Sequence, residues 1–339
     1  MLPDSGASVR SEVRRGVSGV AAMVLTAVAI PSLIARVAGG RPPSPGPQLA
    51  SFSPLAILPA VAAVAVAAAS SWWLAVLLAV PAILLVGVQL PPGRPRQGAG
   101  GNSLSLRLLT VNACRGGADP AAVAGLVRDQ DVDVLAVQEL TPELAQELKN
   151  ADLPGLLPFS VLDAQPSGAG TGLWARWPLS PLPAIPGMKA ATPRAQLDPP
   201  GRPPVTLTAV HPKAPRKRFQ WKWQEELRAI RDSVAATAGP QVVAGDFNAS
   251  RDHRPFRDLL AVGLVDCADT ALKRPWPGFT WPSFWPGFAG AHPRVVPLMR
   301  LDHVLISRDA CSARRLQIIR VPGTDHCAVL ATIDIHPAR

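Results

Sequence analysis

Six places in this 339-residue chain set a polar group directly against an apolar run. Asn112 follows Leu108-Leu109-Thr110-Val111, Glu139 follows Leu135-Ala136-Val137-Gln138, and His211 follows Leu207-Thr208-Ala209-Val210. Asp246 and Asn248 follow Val242-Val243-Ala244-Gly245, while Asp302-His303 and Asp325-His326 each open a further run. Carboxylate and amide oxygens in such a set suit Mg2+ or Mn2+, hard cations that prefer oxygen ligands. No Cys/His spacing fits a zinc finger, and no Gly-rich phosphate loop is present. Taken singly, each residue reads more readily as a turn residue, a helix-entry charge or a satisfied imidazole. The functional reading rests on their occurring together.

The runs that carry these groups read as strands of an α/β chain. Strands are expected at Leu104–Ala113, Val132–Leu140, Val205–Val210, Val242–Phe247, Leu301–Ser307, Leu316–Val321 and Cys327–Ile335. Asp119-Pro120 offers an N-cap and a first-turn proline for a helix over Ala121–Gln130, and Thr141-Pro142 does the same for Glu143–Lys149. Arg218–Ala238 reads as a long helix. Polar groups at the ends of apolar strands stand where a sheet can gather them into one cleft. His303 follows Asp302 directly, so it points to the opposite face and reads as structural.

Thr110-Val111-Asn112, Val137-Gln138-Glu139, Val210-His211-Pro212, Gly245-Asp246-Phe247-Asn248-Ala249, Leu301-Asp302-His303-Val304-Leu305 and Gly323-Thr324-Asp325-His326 resemble the ordered motifs of the endonuclease/exonuclease/phosphatase superfamily. The resemblance spans residues 104–335 and implies a four-layer α/β sandwich built on two mixed sheets. It implies a metal-dependent phosphoric ester hydrolase using Mg2+ or Mn2+, with in-line attack of water on phosphorus. By the same resemblance Glu139 is the principal metal ligand, Asn112 supports metal and phosphate, and Asp325 contributes to the metal. Asp246 orients or deprotonates the water, and Asn248 donates to a phosphoryl oxygen. His211 hydrogen-bonds the phosphate, His326 is the second imidazole there, and Asp302 holds its tautomer. Whether Asp246 or His326 is the base stays open. Lys213 is expected to contact an anionic substrate; Arg176, in the segment Gly172–Pro178 (GLWARWP) that resembles a family strand carrying an Arg, either faces the phosphate or forms a surface salt bridge. Two positions depart from the pattern: Val111 stands where Trp is usual, and Cys327 where Arg or another polar residue is common.

The first hundred residues have a different character. No charged side chain lies between Gly16 and Ala35, nor between Arg41 and Arg94, and Pro54–Leu90 is almost wholly apolar. A spanning helix needs about 20 apolar residues. The first run supplies one span and the second supplies two, turning near Ser70-Ser71, with Trp72 and Trp73 suited to an interface. The expected organisation is a membrane anchor of about three transmembrane helices over residues 1–90, a linker over 91–103 and a catalytic domain over 104–339. The linker segment Pro91–Gly101 (PPGRPRQGAGG) is short enough to keep the domain near the bilayer. Arg14-Arg15 before the first span favours a cytoplasmic N-terminus, which with three passes puts the catalytic domain outside the cytoplasm; Arg36, Arg41, Arg94 and Arg96 then lie outside too, so the positive-inside count as a whole does not decide the orientation. A Cys267–Cys311 disulfide is then allowed, with buried thiols the alternative.

The whole-chain charge of +10 suggests anionic partners. Seven of the 34 basic and two of the 24 acidic residues lie in the first hundred, so the remainder carries only +5. That modest excess, the membrane tether and the aromatic segment Pro275–Phe288 around Trp281 turn the substrate expectation from nucleic acid towards a lipid-linked phosphate. A second aromatic cluster, Phe219-Gln220-Trp221-Lys222-Trp223, follows the basic stretch Arg216-Lys217-Arg218. The alternatives are that Trp281 and its neighbours pack a loop over a sheet edge and that the second cluster supplies the core face of its helix. Anchor followed by catalytic domain is similar to a membrane-bound actinobacterial branch of the superfamily associated with glycopeptide-antibiotic resistance. That similarity implies a polyprenyl pyrophosphate or other cell-wall precursor as substrate. The alternatives are an anchored nuclease and a non-catalytic binding or sensing protein on the same fold.

Overall fold

In the second half of the chain, apolar side chains recur at every second position, the period at which a strand presents one face. The computed structural model describes residues 5–39, 43–90, 103–271, 278–284 and 293–336. The linker Pro91–Gly101 and Trp276 and Trp285 lie outside the described residues. The chain forms two units: Met1–Pro92 with Asp252–Arg254, and Gly93–Arg251 with Pro255–Arg339.

The first unit contains α1 (Ser5–Val37), α2 (Gly46–Ser51), α3 (Ser53–Ala68) and α4 (Trp72–Gln89). Small residues line the contacts between α1, α3 and α4: Ala22, Ala29, Ala60, Ala63, Ala67 and Ala82 are buried there. Alanine lets helix axes approach closely, the means by which helices associate without a hydrophobic drive. Larger aliphatics face outward, with Val24 57%, Ile34 61% and Ile83 67% exposed. Two segments, Glu12–Val37 and Trp72–Gln89, are long and apolar enough to cross a membrane, whereas α3 has only 16 residues. The expected chain reversal falls at residues 69–71, between α3 and α4. Asp252, which a later part of the chain contributes to this unit, is buried and accepts from Arg36 Nε, Gln89 Nε2 and Ser53 Oγ. A buried carboxylate persists only with such partners.

The second unit opens with β1 (Leu104–Asn112), α5 (Pro120–Asp129), β2 (Val134–Gln138), α6 (Pro142–Asn150), α7 (Leu153–Leu156), β3 (Phe159–Asp163) and β4 (Thr171–Ala175). It continues with β5 (Leu179–Leu182), β6 (Arg194–Leu197), β7 (Val205–Val210), α8 (Gln220–Ala235), β8 (Gln241–Asp246), α9 (Arg254–Ala261), β9 (Leu264–Asp266) and α10 (Cys267–Ala271). β10 (Asp302–Ser307), β11 (Cys311–Arg320) and β12 (Cys327–Ile335) close the chain. One sheet runs β11-β12-β1-β2-β4-β3 and the other β5-β6-β7-β8-β10-β9. Only β1–β2 and β7–β8 are parallel, so both sheets are mixed, as expected.

Alternation sorts the side chains into layers. Leu106, Leu108, Val134 and Ala136 of one sheet share a core with Leu207, Ala209, Val242, Ala244, Val304 and Ile306 of the other. The opposite parity faces helices: Leu109, Val111, Leu135 and Val137 pack with Val123, Val127, Leu144 and Leu148 of α5 and α6. Val210, Val243 and Leu305 pack with Trp223, Leu227 and Ile230 of α8 and Phe256 of α9. The result is helix, sheet, sheet, helix.

The expected caps form. Asp119 accepts from the backbone N–H of Ala121 and Ala122, and Thr141 Oγ1 from that of Leu144. These replace bonds that the first turn of a helix otherwise lacks. β11 begins five residues before the expected Leu316. β3 and β5 were not expected, and their largely exposed faces carry little alternation to read. All four cysteines are free thiols, with Cys267 and Cys311 buried.

Candidate active site

Parity carries the polar groups to a common place. Asn112, His211, Asp246 and Asp302 each continue the inter-sheet series of the strand beside them, so they project between the sheets at the strand ends. β8 and β10 pair with Asp302 opposite Asp246. Glu139 breaks the pattern. It would fall on the helix-facing side of β2, but its backbone is left-handed, with φ of 55°. Such a conformation is uncommon for a residue with a side chain. It turns the carboxylate to the cleft, where Oε2 accepts from Arg115 N at 2.7 Å. Gly245, between Ala244 and Asp246, has φ of 146°, and a Cβ there would lie 2.1 Å from the Val210 carbonyl oxygen. Only glycine permits that approach of the parallel strands bearing His211 and Asp246.

Asn112 bridges the two acids. Its Nδ2 lies 3.0 Å from Asp246 Oδ2 and 3.4 Å from Glu139 Oε1, while its Oδ1 accepts from Cys114 N. His211 Nε2 stands 3.7 Å from Glu139 Oε1 and 3.6 Å from Asp246 Oδ2. Asn248, also left-handed at φ of 46°, donates its backbone N–H to Asp246 Oδ1 and Nδ2–H to the Pro212 carbonyl. An amide nitrogen has two hydrogens, so one N–H remains for a ligand. His326 Nδ1 pairs with Asp302 Oδ2 at 2.9 Å, and its Nε2 lies 3.9 Å from Asp246 Oδ2.

The charges of this cluster shift one another. Burial is the strongest influence on His326 and favours the neutral ring, but the Asp302 carboxylate, its hydrogen bond, and then Asp246 and Asp325 outweigh it. Together they carry the imidazole up to about 10. Burial pushes Asp246 above the usual carboxylate range, with His326 pulling the other way. Burial and then Asp325 raise the Cys114 thiol to about 11, and burial raises Cys327 to about 11. Both shifts disfavour the thiolate form.

Asp325 lies at the same end. Its Oδ2 accepts from Trp281 Nε1 at 3.0 Å, and the Trp281 ring centroid is 6.5 Å from that of His326. Lys213 donates its backbone N–H to Glu226, and its Nζ sits 4.6 Å over the Phe219 ring. Of the two readings of Arg176, the structure has the salt bridge, and the substrate contact is corrected. Arg176 follows Ala175, which pairs with Val134 at the start of β2, whereas Glu139 follows the other end of that strand. There Arg176 bonds Asp131 and Asp133. Five strand residues, roughly 16 Å, separate it from the cleft.

Three supporting residues escaped sequence reasoning. Thr324 is fully buried; its Oγ1 donates to the Asn112 carbonyl at 2.6 Å and accepts from His326 N. Thr280 Oγ1 accepts from Leu301 N and Asp302 N. Glu226, buried in α8, accepts from Lys213 N and Lys189 N. Thr324 stands within a recognised motif, so its position beside Asp325-His326 was the available signal; the other two reach the site from remote segments. His303 behaves as expected, packed on the helix side between the Asp266 carboxylate and the Ala249 carbonyl. Val111 also faces the helices, so the missing Trp leaves the cleft unchanged.

Like charges this close need a cation or a proton. Glu139 Oε1 and Asp246 Oδ2 face the same Asn112 amide and His211 Nε2, and Asp302 Oδ1 is buried without a hydrogen-bond partner among the described residues. That donor set fits Mg2+ or Mn2+. Asp246, Asp302 and His326 also offer ligand atoms within 4.8 Å of one another. His326 Nδ1 is committed to Asp302, which makes this group better suited to holding protons and charge than to a hard cation.

A sequence model of the Endonuclease/Exonuclease/phosphatase family matches residues 109–326, which takes in every residue of this cluster. The chain belongs to that family. Its name covers nucleases and phosphatases, hydrolases of phosphoric esters. Solved structures share the fold. D. rerio TDP2, complexed with a single-strand DNA product, aligns with a TM-score of 0.52 and 17% identity over 68% of this chain and 98% of that one. The 3'-5' exonuclease NExo from Neisseria meningitidis aligns with a TM-score of 0.52 and 20% identity over 67% and 98%. An AP endonuclease from Archaeoglobus fulgidus gives 0.50 and 14% over the same shares. At these identities the likeness is one of fold. No curated protein matches the chain.

Proposed function

We propose that this family member is a membrane-anchored, divalent-metal-dependent phosphohydrolase acting on a lipid-linked phosphate or pyrophosphate, such as a cell-wall precursor. The observation that carries the hydrolase reading is the meeting of Asn112, Glu139, His211, Asp246, Asn248 and the Asp302–His326 pair at one end of the two sheets. A binding or sensing module has no need of that complete set.

Asn112, Glu139 and Asp325 are the residues we assign to Mg2+ or Mn2+, which when bound polarises a phosphoryl oxygen and acidifies water. Asp246 takes the proton of the attacking water. Asn112 Nδ2 and Asn248 N hold its two oxygens in place, so no reorganisation is needed at reaction. His326, kept protonated by Asp302, faces the phosphate as a cation, and His211 and the remaining Asn248 N–H donate to phosphoryl oxygens.

The outward aliphatic faces of α1 and α4 support anchoring, since water is a poor solvent for them. Order of anchor and catalytic domain is similar to the actinobacterial branch associated with glycopeptide-antibiotic resistance, which favours the cell-wall lipid and an extracytoplasmic active site. Trp281, beside both Asp325 and His326, offers an apolar surface for acyl or prenyl chain. DNA in the complex of a structural relative favours a second reading, an anchored nuclease.

The test incubates detergent-purified protein with Mg2+ or Mn2+ and a panel of lipid pyrophosphates, phospholipids and DNA. Release of phosphate from a lipid pyrophosphate is expected. Robust cleavage of DNA with no lipid turned over would replace this reading with the nuclease. An extracytoplasm-only reporter enzyme fused to the C-terminus should be active, and silence would reverse the orientation.

A further inference from the structure

Helix α8 divides its aromatics between two faces. Trp223, Leu227, Ile230 and Val234 are buried against the sheet at helical spacing. Trp221 points the other way, 64% exposed, and Phe219 at the helix entry is 43% exposed. Arg216, Lys217 and Arg218, all exposed, immediately precede them. Two lysines lie over the outward rings: Lys213 Nζ is 4.6 Å from the Phe219 centroid and Lys222 Nζ 5.9 Å from that of Trp221. The acid at this edge, Glu225, is engaged by Lys222.

Water solvates the outward Trp and Phe rings poorly, and the cations interleaved with them attract anions. Aromatic rings of this kind settle at the headgroup level of a bilayer, and clustered Lys/Arg are drawn to an anionic leaflet. The patch also continues from the active site. His211 lies in the catalytic cluster, Pro212 O accepts from Asn248, and Lys213 then stacks on Phe219. Three consecutive residues therefore join the cleft to the patch.

We propose that this surface, Arg216 to Lys222 with Lys213, docks on the headgroup layer of an anionic membrane and so presents the cleft to phosphates at that surface. The proposal rests on the anchored reading and deepens it. Charge complementarity favours anionic lipid, and a chain with two apolar helices of spanning length gives that lipid proximity. Single-stranded nucleic acid, which also pairs with cations and stacks on aromatics, is the competing occupant.

The test uses the full chain in nanodiscs, carrying Trp221→Cys labelled with a polarity-sensitive fluorophore; the wild-type chain put through the same labelling supplies the background from its own thiols. Emission should shift to the blue in discs containing phosphatidylglycerol relative to phosphatidylcholine alone. High salt should reverse the shift, and the combined substitutions R216E, K217E and R218E should abolish it. The salt reversal needs no further variant, so misfolding of the triple substitution would not decide the matter. Equal emission in the two disc types overturns the proposal, and a blue shift produced only by added single-stranded DNA assigns the patch to nucleic acid. A chain that does not enter discs contradicts the anchoring instead, and the same emission comparison on vesicles of the two compositions still decides the docking surface.

Discussion

His326 Nδ1 lies 2.9 Å from Asp302 Oδ2, both side chains buried, while the other carboxylate oxygen of Asp302 is without a hydrogen-bond partner among the described residues. This pair sets the charge at one wall of the cleft, because Asp302, Asp246 and Asp325 together outweigh burial and carry the imidazole up to about 10.

A pH dependence follows. A histidine has an ordinary value near 6.5 when unfolded, so the folded value is raised. Its contribution to stability is therefore fully present below about pH 6.5 and is lost as pH rises through about 10. Metal-free protein should unfold at progressively lower denaturant between those limits. Asp302→Asn should flatten that slope and lower the His326 titration followed by imidazole NMR. A His326 that titrates near its ordinary value in the unsubstituted protein would contradict the pairing.

The second expectation concerns Thr324, whose hydroxyl ties β1 to the turn before His326 by donating to Asn112 O and accepting from His326 N. Thr324→Val keeps the volume and leaves both buried groups unpaired, which costs roughly 1–3 kcal/mol. Chemical denaturation should read that loss, and Thr324→Ser should recover most of it. Equal stability of the Val and Ser variants would mean the hydroxyl does nothing there.

How far these relationships were legible differs from residue to residue. Asn112, His211, Asp246 and Asp302 each continue the parity of the apolar strand beside them, so their convergence could be read from alternation and motif order. Glu139 could be read only from its motif, since its left-handed backbone defeats the parity argument. Arg176 misled because its motif gives no sign of strand direction; the antiparallel pairing of β2 with β4 puts it at the far end. Thr280 and Glu226 were invisible because their hydrogen bonds cross from segments remote in sequence. The edge strands β3 and β5 are largely exposed, so no alternating pattern marked them. Three apolar spans were expected, but α3 stops at 16 residues, which leaves two helices of spanning length.

Trp281 separates a packing role from a substrate role. Its Nε1–H holds Asp325 while its ring flanks His326. Trp281→Phe should retain most lipid turnover and raise the metal concentration needed for half-activity. If the ring meets an acyl or prenyl chain as proposed, Trp281→Ala should harm hydrolysis of a lipid substrate more than that of a small soluble phosphodiester. Equal losses on both substrates would leave the indole with packing alone.

Hydrolysis of a phosphate ester by these residues with a divalent cation is the reading on which the expectations for turnover depend. It is tested most directly by steady-state turnover of the purified chain with Mg2+ or Mn2+, in EDTA, and in three substituted forms. Turnover should vanish in EDTA and return with metal. Asp246→Asn and His326→Ala should each lower kcat at least about a hundredfold, the scale of a lost base or electrostatic group. Glu139→Gln should chiefly raise the metal requirement. Full activity in EDTA, or turnover unchanged in both Asp246→Asn and His326→Ala, would contradict it.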